Sequence, residues 1–309
     1  MKLFLNLFTG LLISLSSLSA FGQTSALFIG NSFTYGYGSA AKFYRADSVT
    51  DLNNEGIGGV PALFKSFTDQ AGLDYDVYLE TRGGSGLDFH LENKLGVIGR
   101  RPWDQVVMHG YSTLDSNSPG DPSVLIDTAA RMSDFLQGLN PDVEVFLTAT
   151  WSRADRVYRS DSPWRDKPIA QMAKDIRAGY DKAAAAPGVK AVNGVGEAWT
   201  RAMEGGLADS NPYDGVDADK IDLWTFDHYH ASSYGYYLEA LVVFGNLTGL
   251  DPRSLGDNEC SGFELGMSRA QVKGLQQAAY EQLASEGKVS PAPLILPRPV
   301  AQERCNPAR

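Results

Sequence analysis

Ala26-Leu27-Phe28-Ile29-Gly30-Asn31-Ser32-Phe33-Thr34 is the stretch on which the fold turns. Four apolar residues run without interruption and stop at a glycine. A short apolar run bounded by a turn signal reads as a strand buried on both faces, the kind found in parallel sheets. Gly30 and Asn31 then break the strand, and Ser32 sits just past its C-terminal end. In open α/β sheets, ligand and reaction sites gather at that end.

Outward from this strand the chain alternates. Residues 61–71 pattern as a helix and 76–80 as a strand. Residues 87–97 read as a helix and 105–108 as a strand. Residues 122–139 form a helix that Pro141 stops, and 143–149 a strand. Residues 169–186 read as a helix and 189–195 as a short strand. This alternation predicts a parallel sheet covered by helices on both faces. In residues 233–248, Leu238, Leu241 and Val242 make one apolar stripe, which predicts an amphipathic helix ended by Gly249 and Pro252. After Ser268, Val272, Leu275, Ala279 and Leu283 repeat at helical spacing, and Ser268 with Gln271 has the spacing of a capping box. No repeat and no long linker divides the chain, so residues 23–287 read as one domain. Residues 288–309 carry Pro291, Pro293, Pro297 and Pro299 and read as an extended arm.

The 309 residues are 43% hydrophobic and 21% charged, which excludes a disordered or collagen-like chain. The net charge is -10, which argues against nucleic-acid partners and against docking on anionic lipid. Met1 and Lys2 precede an apolar stretch and then Ser16, Ser17, Ser19 and Ala20. This pattern, closing on Ala20-Phe21-Gly22, predicts a signal peptide over residues 1–22 and a secreted or periplasmic protein. The apolar stretch falls short of the ~20 residues that span a bilayer, so no stable membrane insertion is expected. Cys260 and Cys305 are the two cysteines, and an even pair in an exported protein predicts a disulfide. Neither they nor the four histidines match a zinc spacing, so no metal and no cofactor is expected.

The chemistry is suggested by two distant stretches. Ser32 follows the first strand, and Asp227-His228-Tyr229-His230 precedes a helix near the other end. Nucleophilic serine catalysis needs a hydroxyl, an imidazole to take its proton and a carboxylate to orient the imidazole. Asp227 and His230 are three residues apart, so one turn could hold both beside one serine. His228 competes for the base role. The G-x-S-x-G elbow is absent, because position 34 is Thr.

These residues resemble the SGNH or GDSL hydrolases. The first block of that family is Gly-Asp-Ser-Leu after strand one; here Gly30-Asn31-Ser32-Phe33 stands there, and GNSFT looks like a subgroup of the superfamily. The last block is Asp-x-x-His-Pro-Ser followed by a Gly. Asp227, His230, Ser232 and Gly235 match it, with Ala231 in place of the Pro. The second block supplies a glycine amide, for which Gly86 in Gly83-Gly84-Ser85-Gly86 is the best match. The third block normally ends Gly-x-Asn-Asp, but here His109-Gly110-Tyr111-Ser112 departs from it. The resemblance implies a three-layer α/β/α sandwich with a central, mainly parallel sheet of flavodoxin-like type. It implies Ser32 as nucleophile, His230 as base and then acid, and Asp227 as orienting carboxylate. The oxyanion would meet the amides of Ser32 and Gly86. A third donor would be His109, favoured for its short reach, or Tyr111, which stands at the Asn position without a gap.

The remaining expectations concern substrate. Tryptophans are most often packing residues, but Trp151 follows a predicted strand, which offers the site rim as a second reading. Arg153 belongs to a stretch, 151–167, with five basic and three acidic residues that reads either as a solvated loop or as a substrate lid. His90, four residues after Gly86, has two readings, a residue that caps or packs and a substrate-binding residue that faces the pocket. The chain therefore reads as an exported serine esterase whose partner is a small-molecule or polysaccharide acyl ester, with carbohydrate esters favoured. An acyltransferase acting on a sugar hydroxyl and a catalytically silent carbohydrate-binding protein are the alternatives. The residues do not specify acyl length or oligomeric state.

Overall fold

The structure, a computed structural model, describes residues 22–290. The expected signal peptide up to Phe21, Cys305 and the arm beyond Ser290 lie outside the described residues. Strand β1 (Thr24–Gly30) is followed by the short β2 (Thr50–Asp51) and helix α1 (Gly59–Gln70). Then come β3 (Tyr75–Thr81), α2 (Leu87–Asn93), α3 (Leu95–Ile98), β4 (Gln105–Met108) and α4 (Ser123–Leu139). The second half contains β5 (Glu144–Ala149), α5 (Ala154–Tyr158), α6 (Ile169–Ala183), β6 (Val189–Gly194) and α7 (Val195–Glu204). It closes with α8 (Ser233–Thr248), α9 (Cys260–Glu264) and α10 (Arg269–Ser285).

Among the described residues six strands run parallel in one sheet, in the order β2-β3-β1-β4-β5-β6. The sheet is fully parallel, and helices cover both faces, as the alternation predicts. Side-chain parity divides the core. Ala26, Phe28, Val107 and Phe146 face a core shared with α1, α7, α8 and α10. Leu27, Ile29, Val106, Met108, Val145 and Leu147 face a second core under α2, α4 and α6. β1 lies between β3 and β4, where the chain reverses its direction of travel across the sheet. The loops after β1, β3 and β4 therefore converge at one place.

Three expectations need correction. Residues 87–97 are two helices, broken at Lys94 (φ -124°). The Lys94 ammonium reaches out of the helix to Asn53 Oδ1 at 2.7 Å and Glu80 at 3.3 Å. Val289 is 3% exposed and packs in the core, so the folded body continues past residue 287. Helix α8 is not amphipathic. Every residue from Gly235 to Gly245 is buried, because α1, α7, α10 and the β6 side of the sheet enclose it. A helix apolar all round belongs inside a domain. The capping box at Ser268 and Gln271 forms as expected. Cys260 is buried and is not a free thiol. Among the described residues, no helix is long and apolar enough to cross a membrane.

The burial of α8 separates the two readings of that helix. Val243 lies off the predicted stripe yet is fully buried. Val243→Asp should destabilise the fold by about 4 kcal/mol or more, since it would bury a second carboxyl one helical turn from Glu239. Urea unfolding measures this; a loss under 1 kcal/mol would restore the amphipathic reading.

Candidate active site

The β1 strand ends at Gly30 because the next residue turns its side chain inward. Asn31 Nδ2 donates to the carbonyls of Ser85 (2.7 Å) and Gly110 (3.3 Å), while its Oδ1 accepts from the Phe33 amide at 3.0 Å. One side chain thus ties the loops after β1, β3 and β4. Ser32 follows at the turn and is 6% exposed. The Tyr236 hydroxyl, from α8, donates to the Ser32 carbonyl at 3.1 Å and holds the turn from behind.

The 227–230 stretch comes to the same place. Asp227 Oδ1 accepts from the amides of Tyr229 (3.0 Å) and His230 (2.9 Å), which closes the turn on itself. His228 adopts φ 52° to let the chain fold back. Asp227 Oδ2 is then 2.6 Å from His230 Nδ1, and His230 Nε2 is 2.9 Å from Ser32 Oγ. The carboxylate accepts only, so Nδ1 carries a proton and Nε2 of the neutral ring is free to accept from the serine. Burial would raise the Asp227 pKa, but the hydrogen bonds from His230 and the two amides outweigh it and hold the carboxyl below its usual range. Burial lowers the His230 pKa, with Asp227 opposing and Arg153 assisting, and the net shift is downward. Tyr229 and Tyr37 lie against the imidazole, with ring centroids at 4.0 and 4.5 Å.

No family model and no curated protein sequence matches the chain. Among solved structures it is similar to a DUF4886 family protein from Bacteroides uniformis, at 17% identity and a TM-score of 0.59, covering 87% of this chain and 97% of that one. It is also similar to a protein from Parabacteroides merdae assigned as a GDSL-like lipase, at 15% identity and a TM-score of 0.53, covering 74% and 96%. The chain has the SGNH/GDSL-hydrolase fold.

On that SGNH/GDSL scaffold several expected residues take other places. His109 is not an oxyanion donor. Its Nδ1 donates to the Gly110 carbonyl at 3.0 Å, which leaves Nε2 to accept from the Thr34 hydroxyl at 2.7 Å. Burial pushes its pKa down to about 4, so the ring has no further proton to offer. Tyr111 covers Gly86 as a wall, and its hydroxyl donates to Asp88 at 3.1 Å. Trp151 is not at the rim. It is fully buried, stacked between Phe33 (4.3 Å) and Trp199 (4.6 Å), and its indole donates to the Tyr229 carbonyl. His90 does not face the pocket. It is fully buried behind the site, between the Glu80 carboxylate and the Gly30 carbonyl.

Arg153 is near the site but built in. It pairs with Asp155 at 2.7 Å and lies flat on the Tyr229 ring at 3.4 Å from its centroid. The 151–167 stretch is no free lid either, since Trp164 is buried and bonded to Asp175. His228 packs on Tyr213, away from Ser32. Among the described residues no cluster of His, Cys, Asp and Glu could hold a metal ion. Asn31, Glu80 and Tyr236 escaped sequence reasoning. Only Asn31 carried a local signal, its place beside Ser32.

Asn31 has to donate twice to carbonyls. A carboxylate there would set acceptors against acceptors in a buried turn. Asn31→Asp should lower stability by about 2–3 kcal/mol at neutral pH. Thermal or urea unfolding at pH 7 checks this; equal stability would remove Asn31 from the central place given to it.

Proposed function

We propose that the chain is an exported serine esterase that hydrolyses acyl esters through an acyl-enzyme. The observation that carries this reading is the line of contacts from Asp227 Oδ2 through His230 to Ser32 Oγ, at 2.6 and 2.9 Å. Both distances fit a nucleophile, its base and the group that orients the base. Ser32 Oγ attacks the ester carbonyl while His230 Nε2 takes its proton. The imidazolium, held by Asp227, returns that proton to the leaving alcohol. Water then attacks the acyl-serine, Nε2 takes a water proton, and the acid departs as Ser32 is restored. The amides of Ser32 and Gly86 receive the oxyanion, and His109 has no part in it. Export rests on the 1–22 stretch. Carbohydrate esters are the proposed substrate group. The buried tryptophans lend this no support, but Tyr37 (39% exposed) and Phe226 (74% exposed) offer aromatic faces at the mouth.

Ser32→Ala should leave less than about a thousandth of the activity on a p-nitrophenyl ester, with the fold intact. His230→Ala should be nearly as damaging and Asp227→Asn somewhat less. His228→Ala should keep most of the activity. Retention of a tenth or more by Ser32→Ala would sink the assignment.

The acid limb of kcat/KM reports the free enzyme's base. The protonated imidazole is inactive, so activity falls as pH drops through the His230 pKa. Burial lowers that pKa, so the limb should lie below the ordinary histidine value of about 6.5. A limb centred at pH 7 or above would contradict a buried, desolvated base.

A further inference from the structure

Beside the Ser32 turn, on its β3 side, lies a cavity of about 260 Å³, lined in part by Tyr35, Lys42, Glu55, Thr81, Arg82 and Gly83. Its place in the fold ties it to the site. Thr81 is the register partner of Gly30, two residues before Ser32, and the Arg82 amide donates to the Gly30 carbonyl at 3.0 Å. Neighbouring strands stand only ~4.8 Å apart. On the other wall a run of rings leads back to the base. Tyr35 meets Tyr37 at 6.4 Å, and Tyr37 meets His230 at 4.5 Å.

The charge of this cavity runs against that of the chain. The chain carries -10, yet two cations and one carboxylate line the space. Among the described residues no salt bridge joins Lys42 or Arg82 to an acid. Lys42 lies over the rings of Tyr35 (5.4 Å) and Phe43 (5.1 Å), and Arg82 over Phe89 (5.8 Å). Aromatic faces position a cation without cancelling its charge. The Tyr35 hydroxyl stands between opposed influences: burial, Tyr37 and Glu55 raise its pKa, and Arg82 lowers it. Two positioned cations beside a phenol make a receptor for a carboxylate, through charge-assisted hydrogen bonds.

We propose that this cavity is a subsite for a carboxylate carried by the ester whose carbonyl reaches Ser32, with Lys42 and Arg82 as its specificity-determining residues. The substrate class is then an anionic acyl ester, and this rests on the esterase reading. The carboxylate can belong to either side of the ester bond. On the alcohol side it is that of a uronic acid; on the acyl side it is that of a dicarboxylic half-ester.

Two matched pairs of esters test this. One pair is p-nitrophenyl acetate and p-nitrophenyl hemisuccinate, with the charge on the acyl side. The other is O-acetylated methyl galactoside and O-acetylated galacturonic acid, with the charge on the alcohol side. The wild-type protein should favour the charged member of one pair about tenfold in kcat/KM, and added salt should shrink that ratio. In Lys42→Gln/Arg82→Gln the ratio should collapse towards one. The pair that responds identifies the side of the ester that enters the cavity. No preference in either pair, or a preference that survives in the double variant, overturns the proposal. If no ester is cleaved, the esterase reading fails by itself, and the subsite is read by calorimetric titration with succinate and with galacturonate. Saturable binding by wild type that the double variant loses supports the subsite; no saturable binding of either anion overturns it.

Discussion

The site depends on one amide side chain. Asn31 donates to carbonyls at the ends of two other strand loops and captures a backbone amide of its own turn. Its three bonds are made in a buried place, where an unmade hydrogen bond costs more than a made one returns. Other bonds join these loops in pairs, such as that of the Thr34 hydroxyl to His109, but Asn31 reaches all three. With Asn31 in place they form one unit, and Ser32 rides on it. His90 reinforces the same unit from behind, since its ring reaches the Gly30 carbonyl and the Ser85 hydroxyl.

The second half of the site is brought up by a different device. Asp227 uses one oxygen to close its own turn and the other to hold the imidazole. A single residue therefore sets both the backbone and the ring, and the spacing of three follows from that double duty. The stack of Phe33, Trp151 and Trp199 fills the space beneath. Stacked rings are stiff and bury large areas, so they fix the distance between the two turns. Trp151, which the sequence alone leaves between core and rim, is the floor on which both turns rest.

Burial sets the electrostatics around this floor. His230 keeps a lowered pKa in spite of its carboxylate, because desolvation of the charged ring outweighs the attraction. Among the described residues no salt bridge reaches Glu239, on α8, and burial pushes its carboxyl far above the usual range. Glu80 goes the other way. Burial would raise it, but His90, Asn53 and Lys94 hold it low. Buried carboxyls on opposite faces of the sheet thus take opposite states according to the donors within reach.

The sequence by itself determined the sheet and the meeting of its chemical residues. Uninterrupted apolar runs such as Leu27-Phe28-Ile29 belong to parallel strands, and the helical stripes between them leave little choice of layering. Asp227 and His230 were legible because their contact is local, three residues in one turn. Ser32 was legible because it ends the first strand. What only the tertiary structure decided was how far each side chain lies from solvent and which partners it meets. Trp151, His90 and His109 look alike in sequence to residues that would line a pocket. Their neighbours come from 60 to 78 residues away, as Gly30, Thr34 and Tyr229 do, and no local pattern records such contacts. Helix α8 failed for the same reason. Its stripe is real, but the helices that cover its other sides arrive from both ends of the chain, and burial on all sides is a property of the assembled layers.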